Sequence, residues 1–552
     1  MGTHVELLHS TKPMNKNFER IGDANPREKV EVILSLDGPE FPEFGTFPER
    51  PTTLNEFDAR YGARRADSTR VARVLAQHGL KTLGVSLRAR TMQMAGTVAA
   101  MRRAFCVELA TYRSPQQGLF RGREGTISIP KELDGVVTGV FGLDQRRAAR
   151  RRQGRAAAPS RKPPPGLRPS DLEARYGFPP GDGRGQTIAI GQFGGVYVAT
   201  DLEAYCKRQG RRMPKVETVA IGAAPLTMAE ALRGNAGREA ALKNDTGEVM
   251  LDVEIIAGLC ERAKIVIYFV ESPDQRGWMH LMTRVLERNP SKLASLSISW
   301  GAPEDAGSLS EAGCREISHR FRMLAHLGVT VCVPSGDDGA GDGVSDGHAH
   351  TEFPASSPYV LSVGGTMMKD GEEEGWYVAP GRARHDKPGG ASGGGVSRIF
   401  ERPSWQKVRV PRIDGGGIDG RVVPDVAALA GTPGYDLVLK GQPTKIGGTS
   451  AGAPLWAALV ARIQASLPPA RRRPFLTPLL YHEGSDGKPL GTSVCRDVVE
   501  GHSNASNPPK TGYPVRKGFD AVTGWGVPIG TALATTLAQG AHGKRRSTRP
   551  RA

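Results

Sequence analysis

The 552-residue sequence predicts an α/β protein: a mostly parallel sheet with helices on both faces, preceded by a smaller α+β unit. Three observations carry this. Beyond about residue 186, apolar runs of strand length alternate with helical segments, the pattern of a parallel sheet buried on both faces. Before residue 145 the order is strand, helix, strand, then helix, strand. Between the two, "QRRAARRRQGRAAAPSRKPPPGLRP" (Gln145 to Pro169) turns from basic to Ala-rich to Pro-rich. That composition builds no core and reads as an exposed linker, where proteolytic nicking concentrates.

Taken in order, residues 1–25 are polar and read as a disordered leader. "KVEVILSL" (Lys29 to Leu36) alternates as a strand, "STRVARVLAQHGL" has helical spacing, and "TLGVSLRA" reads as a strand. "VAAMRRAF" is a short helix, "CVELATY" a strand, and "ISIPKELDGVVTGVFGLD" closes the unit. This order suggests a ferredoxin-like unit over residues 26–145. The linker occupies 146–169. From 170 to 540, "TIAIG", "KIVIYFV", "LASLSISW", "VTVCVP" and "YVLSVGG" are the apolar strands, with helical segments such as "DLEAYCKR" and "GCREISHRFRMLAHLG" among them. Residues 541–552 form a basic, disordered tail. In parallel sheets ligands bind beyond the carboxyl ends of the strands. Ser299-Trp300-Gly301, Ser335-Gly336-Asp337 and the turn at Ser450 all fall at such ends, or where a helix begins.

Hydrophobic residues make up 38% of the chain, and no apolar run reaches membrane-spanning length. The net charge of +17 is concentrated in "RRAARRRQGR", Arg471 to Arg473 and "GKRRSTRPRA". These runs lack interleaved aromatics and read as linker, loop and tail rather than nucleic-acid contacts. None of the six cysteines forms a C-x-x-C pair; Cys260 and Cys332 lie in apolar runs and read as buried thiols.

"GGTSAGAPLWAALVARI" (Gly447 to Ile463) places Ser450 between small residues at the start of an apolar helix, with Pro454 where a first turn tolerates it. Two readings stay open: a helix cap by Thr449 or Ser450, or a nucleophile. "GTSAG" also matches the G-x-S-x-G elbow, which Asp497 and His502 could complete, though too few strand–helix units follow Ser450 for that fold. A serine hydroxyl needs a base. None of the twelve histidines stands in a helix-opening motif that would supply one. Carboxylates are better placed: in "NDTGEVMLDVEIIAGLC", Glu248 and Asp252 lie one turn apart on one helix face, among apolar neighbours.

In order along the chain, "GEVMLDVE", "SISWGAPED", "SGDDG" and "GGTSAGAPL" resemble the sedolisins, or serine-carboxyl peptidases, of the kumamolisin-like precursor type. "FPASSPYVLSVGGT" and "GGGVSRIF" support this, and the resemblance runs from about Lys29 to Gly530. It implies a subtilisin-like sheet. Ser450 would be the nucleophile, Glu248 its general base and later acid, and Asp252 the partner sharing a proton with Glu248. Asp337, rather than the adjacent Asp338, would stabilise the oxyanion. Trp300 would line the substrate crevice, and Glu352 would act as an acidic specificity residue favouring basic substrates. A carboxylate titrating near pH ~4 can serve as a base in acid, where histidine is already charged.

The resemblance also implies one structural Ca²⁺, held by the Asp497 and Asp520 carboxylates and the Val498 and Gly518 carbonyls, with Arg516 adding a further carbonyl. Gln192 stands where relatives can carry a glutamate, so an extended proton network through Trp300 is open to question. The protein is then expected to be a self-processing acid endopeptidase. It would act on proteins and peptides, be inhibited by its own prosegment, stay monomeric, and bind neither nucleic acid nor membrane. Prosegment, calcium and acid chemistry point to export, while "MGTHVELLHSTKPMNKNFER", with no apolar leader, points to the cytoplasm, and the two readings stay open with export favoured. The competing reading is a catalytically silent, calcium-stabilised binding protein.

Overall fold

A computed structural model describes residues 3–14, 17–42, 52–115, 117–151, 154–155, 166–233, 239–288, 290–378, 390–413, 419–468, 475–484, 486–506 and 510–539. The predicted tail at 541–552, the basic run at 471–473 and most of the Pro-rich linker lie outside these residues.

Strands rich in Val, Ile and Leu build the large sheet. Its parallel order is Lys215–Ile221, Lys264–Val270, Thr187–Gln192, Leu293–Ser297, Thr330–Pro334 and Leu361–Lys369, with Val426–Leu429 also parallel to the last of these. Glu372–Gly375 adds an antiparallel edge. The neighbour order crosses over repeatedly, as helical connections over both faces require. One face is packed by the helices Glu239–Leu259 and Gly452–Ser466, the other by Gln275–Glu287 and Glu311–His326.

The N-terminal unit has the strand order Lys81–Ser86, Thr91–Thr97, Lys29–Leu36, Val137–Phe141, all antiparallel, against the helices Arg65–Gln77 and Val98–Phe105. This is the expected ferredoxin-like arrangement, but one of its strands was not foreseen. Thr91–Thr97 (TMQMAGT) has no β-branched alternation, and its pairing with the central strand overrides weak propensity. The expected strand "CVELATY" is displaced to Leu109–Ser114, in a separate sheet with Glu19–Asp23 and Gly118–Arg123.

Two boundary expectations are corrected. The polar leader is not disordered in its described residues: His4–Glu6 pairs with Ser128–Pro130, and Leu7 is buried. Lys12 is fully buried with Nζ 3.1 Å from Asp144 Oδ1. Arg146 closes on the same carboxylate at 2.7 Å. Charges taken out of water persist only when paired, and this cluster ties the leader down. The first part of the linker is not exposed either. Ala148 and Ala149 are buried and both donate their N–H to the Pro273 carbonyl. Trp278 Nε1 donates to Ala148 O at 2.9 Å. Arg150 and Arg151 then pair antiparallel with Gly301 and Trp300, and Gly154 and Arg155 with Gly447 and Ile446. Composition is silent about such pairing because it uses backbone groups alone.

The N-terminal unit docks on the face carrying Gln275–Glu287 and Glu311–His326. Arg320, fully buried, donates to Ser35 Oγ at 2.8 Å and to Arg90 O at 3.0 Å. Arg276 pairs with Glu31 at 2.8 Å, and Phe41 lies tilted against His326 at 4.8 Å between ring centres.

Candidate active site

Ser450 lies on a single 3₁₀ turn, Thr449–Ala451, that joins the strand Gln442–Gly447 to the helix Gly452–Ser466. Gly448 makes the corner at φ 105°, a conformation that costs only glycine little. Neither Thr449 nor Ser450 caps the helix; the capping position is Ala451, with no side-chain bond. The capping alternative is thereby excluded. The turn is wholly buried.

The helix Glu239–Leu259 packs against this turn. Val249, Met250, Leu251, Val253 and Ile256 are all fully buried, so the helix runs inside the protein from Thr246 to Leu259, while its start, with Glu239, Lys243 and Asn244 exposed, lies at the surface. Glu248 and Asp252 are both completely buried one turn apart on it, as the i, i+4 spacing predicts. Asp252 accepts from Gln192 Nε2 at 2.7 Å, and its other oxygen lies 2.6 Å from Ser299 Oγ. Ser299 Oγ also reaches the Ser450 carbonyl at 3.2 Å. A hydroxyl has one proton for these two contacts, and a protonated Asp252 supplies the second. Burial agrees, pushing the Asp252 carboxyl well above the usual carboxylate range, with the Ser299 and Gln192 bonds opposing it.

Trp300 Nε1 donates to Gln192 Oε1 at 2.7 Å. The indole can only donate, so it turns the Gln192 oxygen toward itself and the amide NH₂ toward Asp252. Glutamine therefore keeps the hydrogen-bonded chain from Trp300 to Asp252 but carries no proton along it. Trp300 is fully buried, in edge contact with Phe193 at 6.1 Å.

Asp337, 2% exposed, faces the serine turn: its Oδ1 accepts from Thr449 N at 2.8 Å and Thr449 Oγ1 at 2.6 Å. Asp338 points elsewhere; its carbonyl accepts from Ser506 Oγ at 2.5 Å, and it bridges to Ala391. Glu352 is buried on the short strand Glu352–Phe353, which pairs with the strand Trp300–Pro303. A β-carbon on Gly301 would collide with Glu352 Oε1, so this glycine lets the carboxylate lie against the strand that carries Trp300. His350 is held between Asp305 and Asp346 at 2.6 and 2.9 Å, and His502 lies tilted against Tyr377 at 5.3 Å between ring centres. Sequence reasoning placed Ser299 at a strand end without giving it a role, and did not find Thr449 as the partner of Asp337. The adjacency of each to a singled-out residue was the available signal.

Two further acids of the catalytic unit are buried. Glu254, fully buried, accepts from Val438 N at 2.8 Å, and burial pushes it up to about 9. Glu304 is pushed up to about 7 by the same cause. A carboxyl whose folded pKa lies above its unfolded value near ~4.3 stabilises the fold below that value, and the gain is lost as pH rises through the folded pKa. The melting temperature is therefore expected to be highest in acid and to fall between about pH 4 and 9, with Glu254→Gln flattening the upper part of that decline in calorimetric scans.

Near the C-terminus, Asp497 Oδ2 accepts from Gly518 N at 2.7 Å, while its Oδ1 is buried without a hydrogen-bond partner among the described residues. Asp520 accepts from Val522 N at 2.9 Å and Thr523 N at 2.8 Å; burial pushes it up to about 6. Val498 is buried beside Asp497. The Arg516 guanidinium docks on the Arg409 and Phe519 carbonyls. Two carboxylates, one with an orphaned buried oxygen, fit a hard cation. No group of three or more His, Cys, Asp or Glu able to hold a metal occurs among the described residues, so a cation here would draw its remaining ligands from backbone oxygens. No helix among the described residues is long and apolar enough to cross a membrane.

Residues 20–146 match the pro-kumamolisin activation domain, and residues 234–479 match the subtilase family. The fold agrees with that of Pseudomonas sedolisin complexed with pseudo-iodotyrostatin (TM-score 0.56, 24% identity, 68% of this chain and 99% of that one). The chain is thus a subtilisin-like serine peptidase preceded by an activation domain. It is 37% identical to kumamolisin from a Bacillus species over 499 residues, covering 87% of this chain and 85% of the relative. It is 33% identical to human tripeptidyl-peptidase 1 over 331 residues, 55% of this chain and 52% of that one. The chain belongs to the sedolisin, or serine-carboxyl peptidase, family, whose members are made as zymogens.

Proposed function

We propose that this protein is an acid-acting endopeptidase in which Ser450 attacks the scissile carbonyl, Glu248 takes the serine proton and returns it to the leaving amine, and Asp252 stays neutral so that one charge resides on the pair. The observation that carries this is the uncapped, buried serine turn packed on the helix that bears both acids. Two adjacent carboxyls in a dry site do not both ionise. Asp337, oriented by Thr449, donates to the oxyanion only when protonated, which acid favours. Trp300 and Glu352 form the non-primed side of the crevice, Glu352 favouring basic side chains.

Residues up to Arg151 act as the inhibitory prosegment, with maturation in the linker before 169 and catalysis within 170–540, as a monomer exported from the cell. One Ca²⁺ is held by Asp497 and Asp520 with the Val498 and Gly518 carbonyls; when bound it neutralises the two acids and ties the C-terminal segment down. Stripping calcium with a chelator is expected to lower the melting temperature, by the equivalent of about 2.7 kcal/mol if free calcium stood a hundredfold above Kd, and Asp520→Asn to abolish that response.

The endopeptidase reading is tested on the acid-activated protein with internally quenched peptides, amino-terminally blocked or free. Equal cleavage of blocked peptides supports it; cleavage confined to free amino termini, releasing short fragments, would replace it with an exopeptidase.

A further inference from the structure

The loop from Asp337 to Glu352 carries the proposed oxyanion donor at its start and the proposed specificity carboxylate at its end. Between them lies the single 3₁₀ turn Gly339–Gly341. The two ends come together: a β-carbon on Gly336 would lie 3.5 Å from Glu352 Oε2. The first part of the loop is tied to the C-terminal segment, with Ala340 N donating to Asn504 O at 2.7 Å and Gly341 N to Ser506 Oγ at 2.9 Å. The second part is tied by His350, whose backbone N–H donates to Ala340 O at 2.8 Å. Its buried imidazole reaches Asp305 Oδ1 through Nδ1 at 2.6 Å and Asp346 Oδ1 through Nε2 at 2.9 Å. Asp346 belongs to the loop itself. Asp305 follows the strand Trp300–Pro303, with which Glu352 pairs.

An imidazole with a carboxylate on each nitrogen faces two acceptors, and when neutral it has one N–H to offer them. Only the imidazolium satisfies both. The surrounding charges are few: Arg398 Nε approaches Asp305 at 3.5 Å, and His348 donates its backbone N–H to Asp346 Oδ1 at 2.9 Å. Glu304, next to Asp305, is taken up by Ser397 Oγ and the Arg398 N–H. Burial alone would lower His350; its bonds to Asp305 and Asp346 overcome that and hold the imidazole above its usual range. Burial likewise acts upward on Asp346, and the bonds from the His350 ring and the His348 N–H hold it below the usual carboxylate range. We infer that His350, as an imidazolium, is a positioning residue that clasps the loop from Asp337 to Glu352 in its substrate-binding shape. The inference rests on the proposed roles of Ser450 and Glu352.

The clasp acts on binding rather than on bond breaking. Asp337 is held separately by Thr449 N and Oγ1, whereas Glu352 stands two residues after His350 and takes its place from it. The clasp is shut wherever the imidazole is charged, which covers the whole acid range. It opens as pH rises through the raised histidine value, above the ordinary ~6.5. Substrate affinity is therefore lost toward neutrality by a route separate from the titration of Glu248 and Asp252. Opening replaces one charge-assisted hydrogen bond by two acceptors face to face, a change worth roughly tenfold in an equilibrium.

The test is kcat and KM across about pH 3 to 7 on a quenched peptide with basic side chains, after acid activation of the full-length protein. Wild type is set beside His350→Gln, His350→Lys and Asp346→Asn. Glutamine offers an N–H to one carboxylate and an oxygen to the other, so it copies the neutral ring at every pH. It is expected to raise KM roughly tenfold in acid, to leave kcat nearly unchanged, and to flatten the rise in KM that wild type shows above ~6.5. Lysine keeps the charge and is expected to recover most of the loss. Asp346→Asn removes one carboxylate from a side chain about half exposed. It is expected to raise KM in the same way, and it serves where the buried substitution fails to fold. An unchanged KM in both His350→Gln and Asp346→Asn, or a loss confined to kcat, would overturn the clasp and leave the peptidase intact. Cleavage that persists in Ser450→Ala would overturn the nucleophile on which it rests, and an unchanged KM in Glu352→Gln the specificity role.

Discussion

Precursor carrying Ser450→Ala is expected to remain full length in acid and to show no peptidase activity, while wild type processes itself. Glu248→Gln is expected to approach the same result, because glutamine keeps the shape but takes no proton. Loss of a general base costs roughly 100- to 10,000-fold, and groups acting as a unit lose activity non-additively. The double variant should therefore be little worse than Ser450→Ala. Initial rates on a quenched peptide across pH, with intact mass beside them, check this. An active Ser450→Ala protein would remove the nucleophile assignment outright.

The second large effect is expected at Asp337. Its Oδ1 accepts from both Thr449 N and Thr449 Oγ1, and in the proposed mechanism the carboxyl donates to the oxyanion through its other oxygen. Asparagine reproduces both halves: a carbonyl oxygen toward Thr449 and an NH₂ that donates at any pH. Asp337→Asn is expected to retain most activity and to extend it toward neutral pH until Glu248 and Asp252 become limiting. Asp337→Ala removes the donor, a loss of roughly 100- to 1000-fold in kcat. The contrast between the two variants, read from kcat–pH profiles, separates a donor role from simple packing. Equal loss in both would assign Asp337 to holding the turn alone.

Much of the site was legible because chemistry restricts which residues can do the work. A serine opening an apolar helix and two acids one turn apart inside another are patterns that survive without coordinates, and both helices are where spacing put them. Partners that act through a single atom were not legible. Ser299 and Thr449 are common residues in unremarkable positions, and only the approach of separate strands gives their hydroxyls a carboxylate to meet. Gln192 shows the same limit. Its identity announced a lost proton carrier, but that its amide still joins Trp300 to Asp252 depends on two strands brought together.

By itself the sequence determined the two folded units, the alternation that makes a buried parallel sheet, the family and the residues able to carry acid peptidase chemistry. All of these are written in side-chain pattern, and burial acts on side chains directly. Tertiary structure alone decided that the leader is anchored by Lys12 on Asp144, that Asp337 rather than Asp338 meets the serine turn, and that two short stretches of linker composition, Arg150–Arg151 and Gly154–Arg155, pair with the strands that carry Trp300 and Gly447. Strand addition is made by peptide N–H and C=O groups that every residue carries, so no residue type marks it, and only the folded chain shows where it occurs.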